Sequence, residues 1–139
     1  MILEYLELRN FKNYTSTDIY LDSKFVCFTG KNGHGKTNIL DAIHYLSLTK
    51  SFQNYSDTSN IKHGENFFRI AGKFKKDNKS IHEVVCMQER NERKKIIVND
   101  KTCERFADHI GEFPVALISP ADFDLIYSSD ARRRFIDAT

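Results

Sequence analysis

The sequence lacks a long apolar run. Nothing in its 139 residues approaches the roughly 18 consecutive apolar residues that a membrane-spanning helix needs. It also lacks a basic segment at its start. Met1-Ile2-Leu3-Glu4-Tyr5 reads as a first strand rather than a secretory leader. Cysteine is scarce: Cys27, Cys86 and Cys103 are odd in number, far apart and without a CxxC pair. That argues against a disulfide framework and against a zinc site, and it predicts reduced thiols in a cytoplasmic protein. His44, His63, His82 and His109 have no metal-ligand spacing and read as structural. The net charge is only +2, so charge alone announces neither nucleic acid nor a membrane surface. Internal repeats and low-complexity tracts are absent. What is left is one domain, long enough to bury a core. The chain ends at Arg134-Phe135-Ile136-Asp137-Ala138-Thr139, inside a helical pattern with no closing Gly or Pro, as a piece of a longer protein would.

What is present falls into two halves. Residues 2–8 are rich in strand formers but show no clean face, and a turn follows over residues 9–14. Residues 17–21 form a second strand candidate. Residues 24–29 are a short, nearly continuous apolar run, the pattern of a buried strand. Ile39, Ile43 and Leu46, with Leu40 and Tyr45 beside them, give helical spacing over residues 37–48. Residues 49–66 are polar and read as an irregular segment or a short helix with loops. From residue 67 the period changes to two. Residues 68–74, 81–87 and 93–98 read as strands, with turns at 76–79, 88–92 and 99–100. A helix is expected over 102–110, capped by Gly111. A buried strand is expected over 113–118, then helices starting at Ser119-Pro120 and at Ser129 or Asp130.

The residues with the clearest chemistry are Gly30-Lys31-Asn32-Gly33-His34-Gly35-Lys36-Thr37. They fit G-x-x-x-x-G-K-[ST], between a predicted strand and a predicted helix. Glycines allow positive φ and close approach of backbone to phosphate. Successive N–H groups then make an anion nest at a helix N-terminus. Lys36 is expected to reach the β- and γ-phosphates, and the Thr37 hydroxyl to hold magnesium. The reading is a purine nucleoside triphosphate site, for ATP with Mg2+, with Asn38 included in the binding set. His34 reads as a variable, solvent-facing loop position that offers only its backbone N–H.

Asn32 and Gly33 make the loop G-x-N-G-x-G-K-T, which resembles that of ATP-binding-cassette and SMC-like ATPases. In that superfamily the position of Asn32 often contacts the γ-phosphate region. Three segments together resemble the RecF family of bacterial DNA recombination and repair ATPases. They are Leu6-Glu7-Leu8-Arg9-Asn10-Phe11-Lys12-Asn13-Tyr14, then residues 28–48 followed by Thr49-Lys50-Ser51-Phe52, then Phe113-Pro114-Val115-Ala116-Leu117-Ile118-Ser119-Pro120-Ala121-Asp122-Phe123-Asp124-Leu125-Ile126 with Arg132-Arg133-Arg134-Phe135-Ile136-Asp137. The third segment is the most specific. The sequence departs from the family at Lys12 and Ala121, where Arg and an acidic residue are usual, and at Gln53-Asn54, where Arg often follows Ser51-Phe52.

The resemblance implies an α/β fold, mixed α+β in detail. It is the N-terminal lobe of an ABC-type P-loop ATPase head with an antiparallel β subdomain, spanning residues 1–139. The signature motif and the acidic Walker B strand would lie further on. It further implies ATP-dependent homodimerisation and binding of double-stranded DNA near single-strand gaps. Recombination mediator proteins are the implied partners in loading the strand-exchange protein. These residues alone are expected to bind nucleotide weakly and not to hydrolyse it.

Several residues carry two readings. Lys12 is a phosphate contact, as the resemblance implies, or a solvated turn lysine. Asp122 is a magnesium neighbour, or part of a local helix start with Ser119 and Pro120. Arg132-Arg133-Arg134 touch DNA or phosphate, or line a solvated helix face. Arg90, Arg93, Lys94, Lys95 and Lys101 form a DNA-binding strip, or guard a sheet edge against aggregation. The rival identities are another SMC-like head, a P-loop kinase or GTPase, and a nucleotide-sensing module without hydrolysis. The first needs heptads after Thr139. The second needs a substrate lid or an N-K-x-D motif, neither of which is evident.

Overall fold

The computed structural model describes residues 1–21, 23–53 and 55–119. They form one antiparallel sheet with a helix on its inner face. The strands are β1 (Ile2–Phe11), β2 (Tyr14–Tyr20), β3 (Phe67–Lys75), β4 (Ile81–Glu89), β5 (Lys95–Val98) and β6 (Lys101–Thr102), in the spatial order β2-β1-β3-β4-β5-β6. The helices are α1 (Lys36–Leu48) and the single turn α2 (Phe106–His109). A 3-10 turn, Asp57–Asn60, lies between α1 and β3.

Period-two patterning builds the inner face. Leu6 and Leu8 of β1, Phe68 and Ile70 of β3, Val84 and Cys86 of β4, and Ile96 of β5 are all fully buried. The opposite face is polar. There Arg69 pairs with Glu7, Arg9 with Asp18, and Lys75 with Glu4. Strand β1 shows no clean face in sequence because its alternation is broken twice. A bulge falls between Leu3 and Tyr5, and Asn10 takes a left-handed φ of 51°, so Phe11 rather than Asn10 follows Leu8 inward. The strand thus runs three residues past its expected end at Leu8, into the segment read as a turn.

Helix α1 lies on β3 and β4. Ile39, Ala42, Tyr45 and Leu46 are its buried face. Phe11, Tyr45 and Phe68 meet edge to face, with centroids 5.3–6.2 Å apart, and tie the end of β1 to the helix. Gly72 of β3 is needed for this approach. A Cβ there would lie 2.6 Å from Leu46 Cδ1.

Two expectations fail. Residues 24–29 and 113–118 are in no strand of the sheet. Phe25 is 92% and Ile118 87% exposed. A short apolar strand is buried only between neighbours, and among the described residues no strand lies beside either segment. The helix predicted over 102–110 is cut to Phe106–His109, because Asn99 and Asp100 both take positive φ and turn the chain into β6 first. Asp122, the Arg132-Arg133-Arg134 run and the expected helices after Ser119 lie outside the described residues.

Candidate functional site: an anion cradle at the start of α1

Gly35 ends the loop with φ 91° and starts α1 without any side-chain cap. A helix start normally recruits Ser, Thr, Asp or Asn to satisfy its free N–H groups. Here the start is left open, which suits an anion. The left-handed φ already favours glycine, and a Cβ would collide with the Asn13 carboxamide. The Lys36 ammonium folds over the loop and donates to the carbonyls of Gly30 (2.7 Å) and Lys31 (2.8 Å). Phosphate oxygens would compete for it at that place.

Asn32, Gly33, Gly35, Lys36, Thr37 and Asn38 line a cleft of about 470 Å³. Thr37 is exposed at its edge, so its hydroxyl is free to join a magnesium shell completed by phosphate. The His34 side chain is exposed, as expected for a variable position, and its N–H donates to Lys31 O at 3.4 Å.

Three side chains brace the loop from below. Asn13 Nδ2 donates to His34 O at 3.2 Å, and Asn38 Nδ2 donates to Asn13 Oδ1 at 2.8 Å. The Tyr14 hydroxyl donates to Gly35 O at 3.2 Å, and burial raises its pKa, which keeps it a donor. The β1–β2 turn therefore holds the loop, although neither Asn13 nor Tyr14 stood out as a site residue in sequence. The only signal was their place in the N-F-K-N-Y segment.

Lys12 fits neither sequence reading as it stands. Its side chain is 9% exposed, and Nζ lies 2.6 Å from Asp41 Oδ2, itself fully buried on α1. The ammonium also sits over the rings of Phe11 and Tyr55 and donates to Gln53 Oε1 at 3.3 Å. Asp41 further accepts from Ser51 Oγ and from the Phe52 N–H. Lys12 is thus an interior tie, drawn in by a carboxylate that would otherwise be buried unpaired.

Lys94 departs from its group in the same way. Its ammonium donates to Asp57 Oδ2 at 2.8 Å and to Thr49 O, and lies over Tyr45 and Phe106. It belongs neither to a DNA strip nor to a guarded edge. Among the described residues no three His, Cys, Asp or Glu side chains gather as a metal cluster. His44 Nδ1 meets Lys50 O at 2.9 Å, and His109 Nε2 meets Leu46 O at 2.6 Å, both structural contacts.

Comparison with known proteins agrees with this geometry. The family model of the AAA ATPase domain matches residues 1–120. The DNA replication and repair protein RecF of Flavobacterium johnsoniae is 44% identical over 139 residues, which is 99% of this chain and 38% of that protein. RecF of Bacteroides thetaiotaomicron is 43% identical over 138 residues, 99% of this chain and 37% of its own. The chain therefore spans under two fifths of the length of these relatives. A solved structure of the recombination mediator protein RecF with ATP, from the RecFOR pathway, superposes with a TM-score of 0.86. It is 25% identical and covers 99% of this chain and 38% of its own. A solved chain from work on ATP-driven dimerisation and DNA-stimulated activation of SMC ATPases superposes at 0.81. At 22% identity, with 97% of both chains covered, it shows a shared fold. No described helix is long and apolar enough to cross a membrane. The chain belongs to the AAA ATPase domain family, and the resemblance to RecF read from its motifs extends along its whole length.

Proposed function

We propose that residues 1–139 are the ATP-binding lobe of a RecF-like DNA repair ATPase. The observation that carries the reading is the uncapped start of α1 at Gly35, with Lys36 folded over a glycine loop braced by Asn13 and Asn38. Gly30, Lys31, Asn32, Gly33, His34 and Gly35 offer backbone to the phosphates. Lys36 neutralises the β/γ end, and Asn38 completes the cradle. Thr37 would hold the magnesium ion, whose chemistry is to screen phosphate charge. Lys12 serves this site indirectly, through Asp41 and Gln53, rather than as a phosphate ligand.

Bound ATP brings two such lobes together, and the dimer holds double-stranded DNA near single-strand gaps, where mediator proteins load the strand-exchange protein. Support comes from the RecF relatives and from the solved RecF with ATP. Hydrolysis is expected to draw on groups outside this cradle.

The test is Lys36→Ala in the full-length protein, read by ATP binding and by ATP-dependent dimerisation in light scattering. Both are expected to be lost while the fold is retained. Dimerisation at the wild-type ATP concentration would refute the role of Lys36.

A further inference from the structure

Gln53 stands where the phosphate cradle opens into a second cleft of about 620 Å³, and it lines both. Its orientation is set by charge. The Lys12 ammonium has donors only, so it bonds the carbonyl end of the Gln53 amide, Oε1. That fixes which end of the amide is oxygen. Lys12 in turn cannot wander, because Asp41 holds it at 2.6 Å from inside the molecule. Asp41 also anchors the Gln53 backbone. It accepts from Ser51 Oγ and Phe52 N, and Ser51 Oγ accepts from Gln53 N at 3.2 Å. The buried carboxylate thus places the main chain of residues 51–53 and, through Lys12, the side-chain amide.

The other end of the amide, Nε2, has no hydrogen-bond partner among the described residues. Gln53 is half-buried, so this N–H2 group is held at the cleft without being spent inside the protein. We propose that Gln53 is a nucleotide-contacting residue, oriented by the Asp41–Lys12 pair, that donates to oxygen at the junction of phosphate and ribose. The junction is favoured over the γ end for a geometric reason. Lys36 and Thr37 mark the β/γ end of the cradle. Gln53 and Asn38 are the two residues shared with the second cleft, through which the nucleoside has a continuous path away from the loop. A carboxamide there reads an acceptor common to ATP and ADP, and adds no charge to a site that Lys36 already neutralises.

This inference rests on the nucleotide reading of the loop. It is tested by calorimetric titration of the full-length protein with Mg-ATP and, separately, Mg-ADP. Gln53→Met is expected to weaken both about tenfold, as loss of one hydrogen bond to a charged acceptor does. Gln53→Glu keeps the acceptor for Lys12 but turns a carboxylate toward phosphate, and is expected to weaken both further. Lys12→Met is expected to cost affinity in the wild-type background and none in the Gln53→Met background, because it acts through that amide. Unchanged affinity in Gln53→Met overturns the contact. A loss confined to ATP overturns its placement at the junction. Additive losses from Lys12→Met and Gln53→Met overturn the positioning role of Lys12. Wild-type protein that binds neither nucleotide sinks the loop reading itself, which separates that failure from a failure of Gln53.

Discussion

Lys12 carries its charge at the tip of the β1–β2 turn, yet its ammonium lies inside the molecule, against a carboxylate with no exposure. Such a pair adds little by forming, because both ions lose water. Breaking it is different. Lys12→Met leaves Asp41 with only the Ser51 hydroxyl and the Phe52 N–H. The expected loss is about 3 kcal/mol of unfolding free energy by denaturant titration, where a solvated turn lysine would change it by less than ~0.5 kcal/mol. Lys12→Met combined with Asp41→Leu is expected to recover much of that loss, since no bare charge remains. A small effect of the single substitution would return Lys12 to the surface. In the sequence, a turn lysine flanked by Asn and Phe looks like many others. The sign that it was wanted inside is Asp41, a carboxylate among the apolar positions of α1, whose partner the chain does not bring near until it folds.

At the scale of elements, α1 was legible because every signal for it is local: a glycine loop before it, apolar spacing along it and Thr49 after it. Thr49 ends the helix in a left-handed conformation with its N–H on Tyr45 O. The β3–β4–β5 meander was legible for the same reason, since period two and the turns at 76–79 and 88–92 are short-range. Residues 24–29 and 113–118 were misread because burial of an apolar strand depends on neighbours, which no local pattern reports. The brace under the cradle was illegible for a related reason, because Asn13 and Tyr14 meet the loop only once β1 and β2 pair.

The tie between α1 and the Asp57–Asn60 turn also makes a prediction. The Tyr45 hydroxyl donates to Asp57, and burial with that bond pushes its pKa above the ordinary 10.0. Burial likewise pushes the Cys86 thiol above 9.0. Above those ordinary values the unfolded chain releases protons that the folded one keeps. The folded state then binds more protons, so stability is full at lower pH and falls as pH rises. The denaturation midpoint is expected to drop from about pH 9 upward. Tyr45→Phe should cost about 1 kcal/mol at neutral pH and make the alkaline decline shallower. An unchanged decline in the variant would remove Tyr45 as its source.

For the molecule as a whole, α1 has two apolar faces and the sheet covers one. On the other side Leu40 is 44% exposed, and with Ile43, Val26 and Phe28 it lines a groove of about 390 Å³. Isolated exposed apolar side chains are ordinary, but a contiguous set on a helix and the segment beside it is not. The chain spans 38% of the length of a RecF relative, so in such a protein there is further polypeptide to cover this face. Expressed as these 139 residues, the protein is therefore expected to bind 8-anilinonaphthalene-1-sulfonate strongly and to self-associate in sedimentation. Val26→Ser with Leu40→Gln should weaken both without lowering the unfolding midpoint, because both side chains line the groove and neither is buried in the core. The same pair in full-length protein should instead lower the midpoint, since there the groove is covered. Equal behaviour in the two lengths would mean that nothing covers this face.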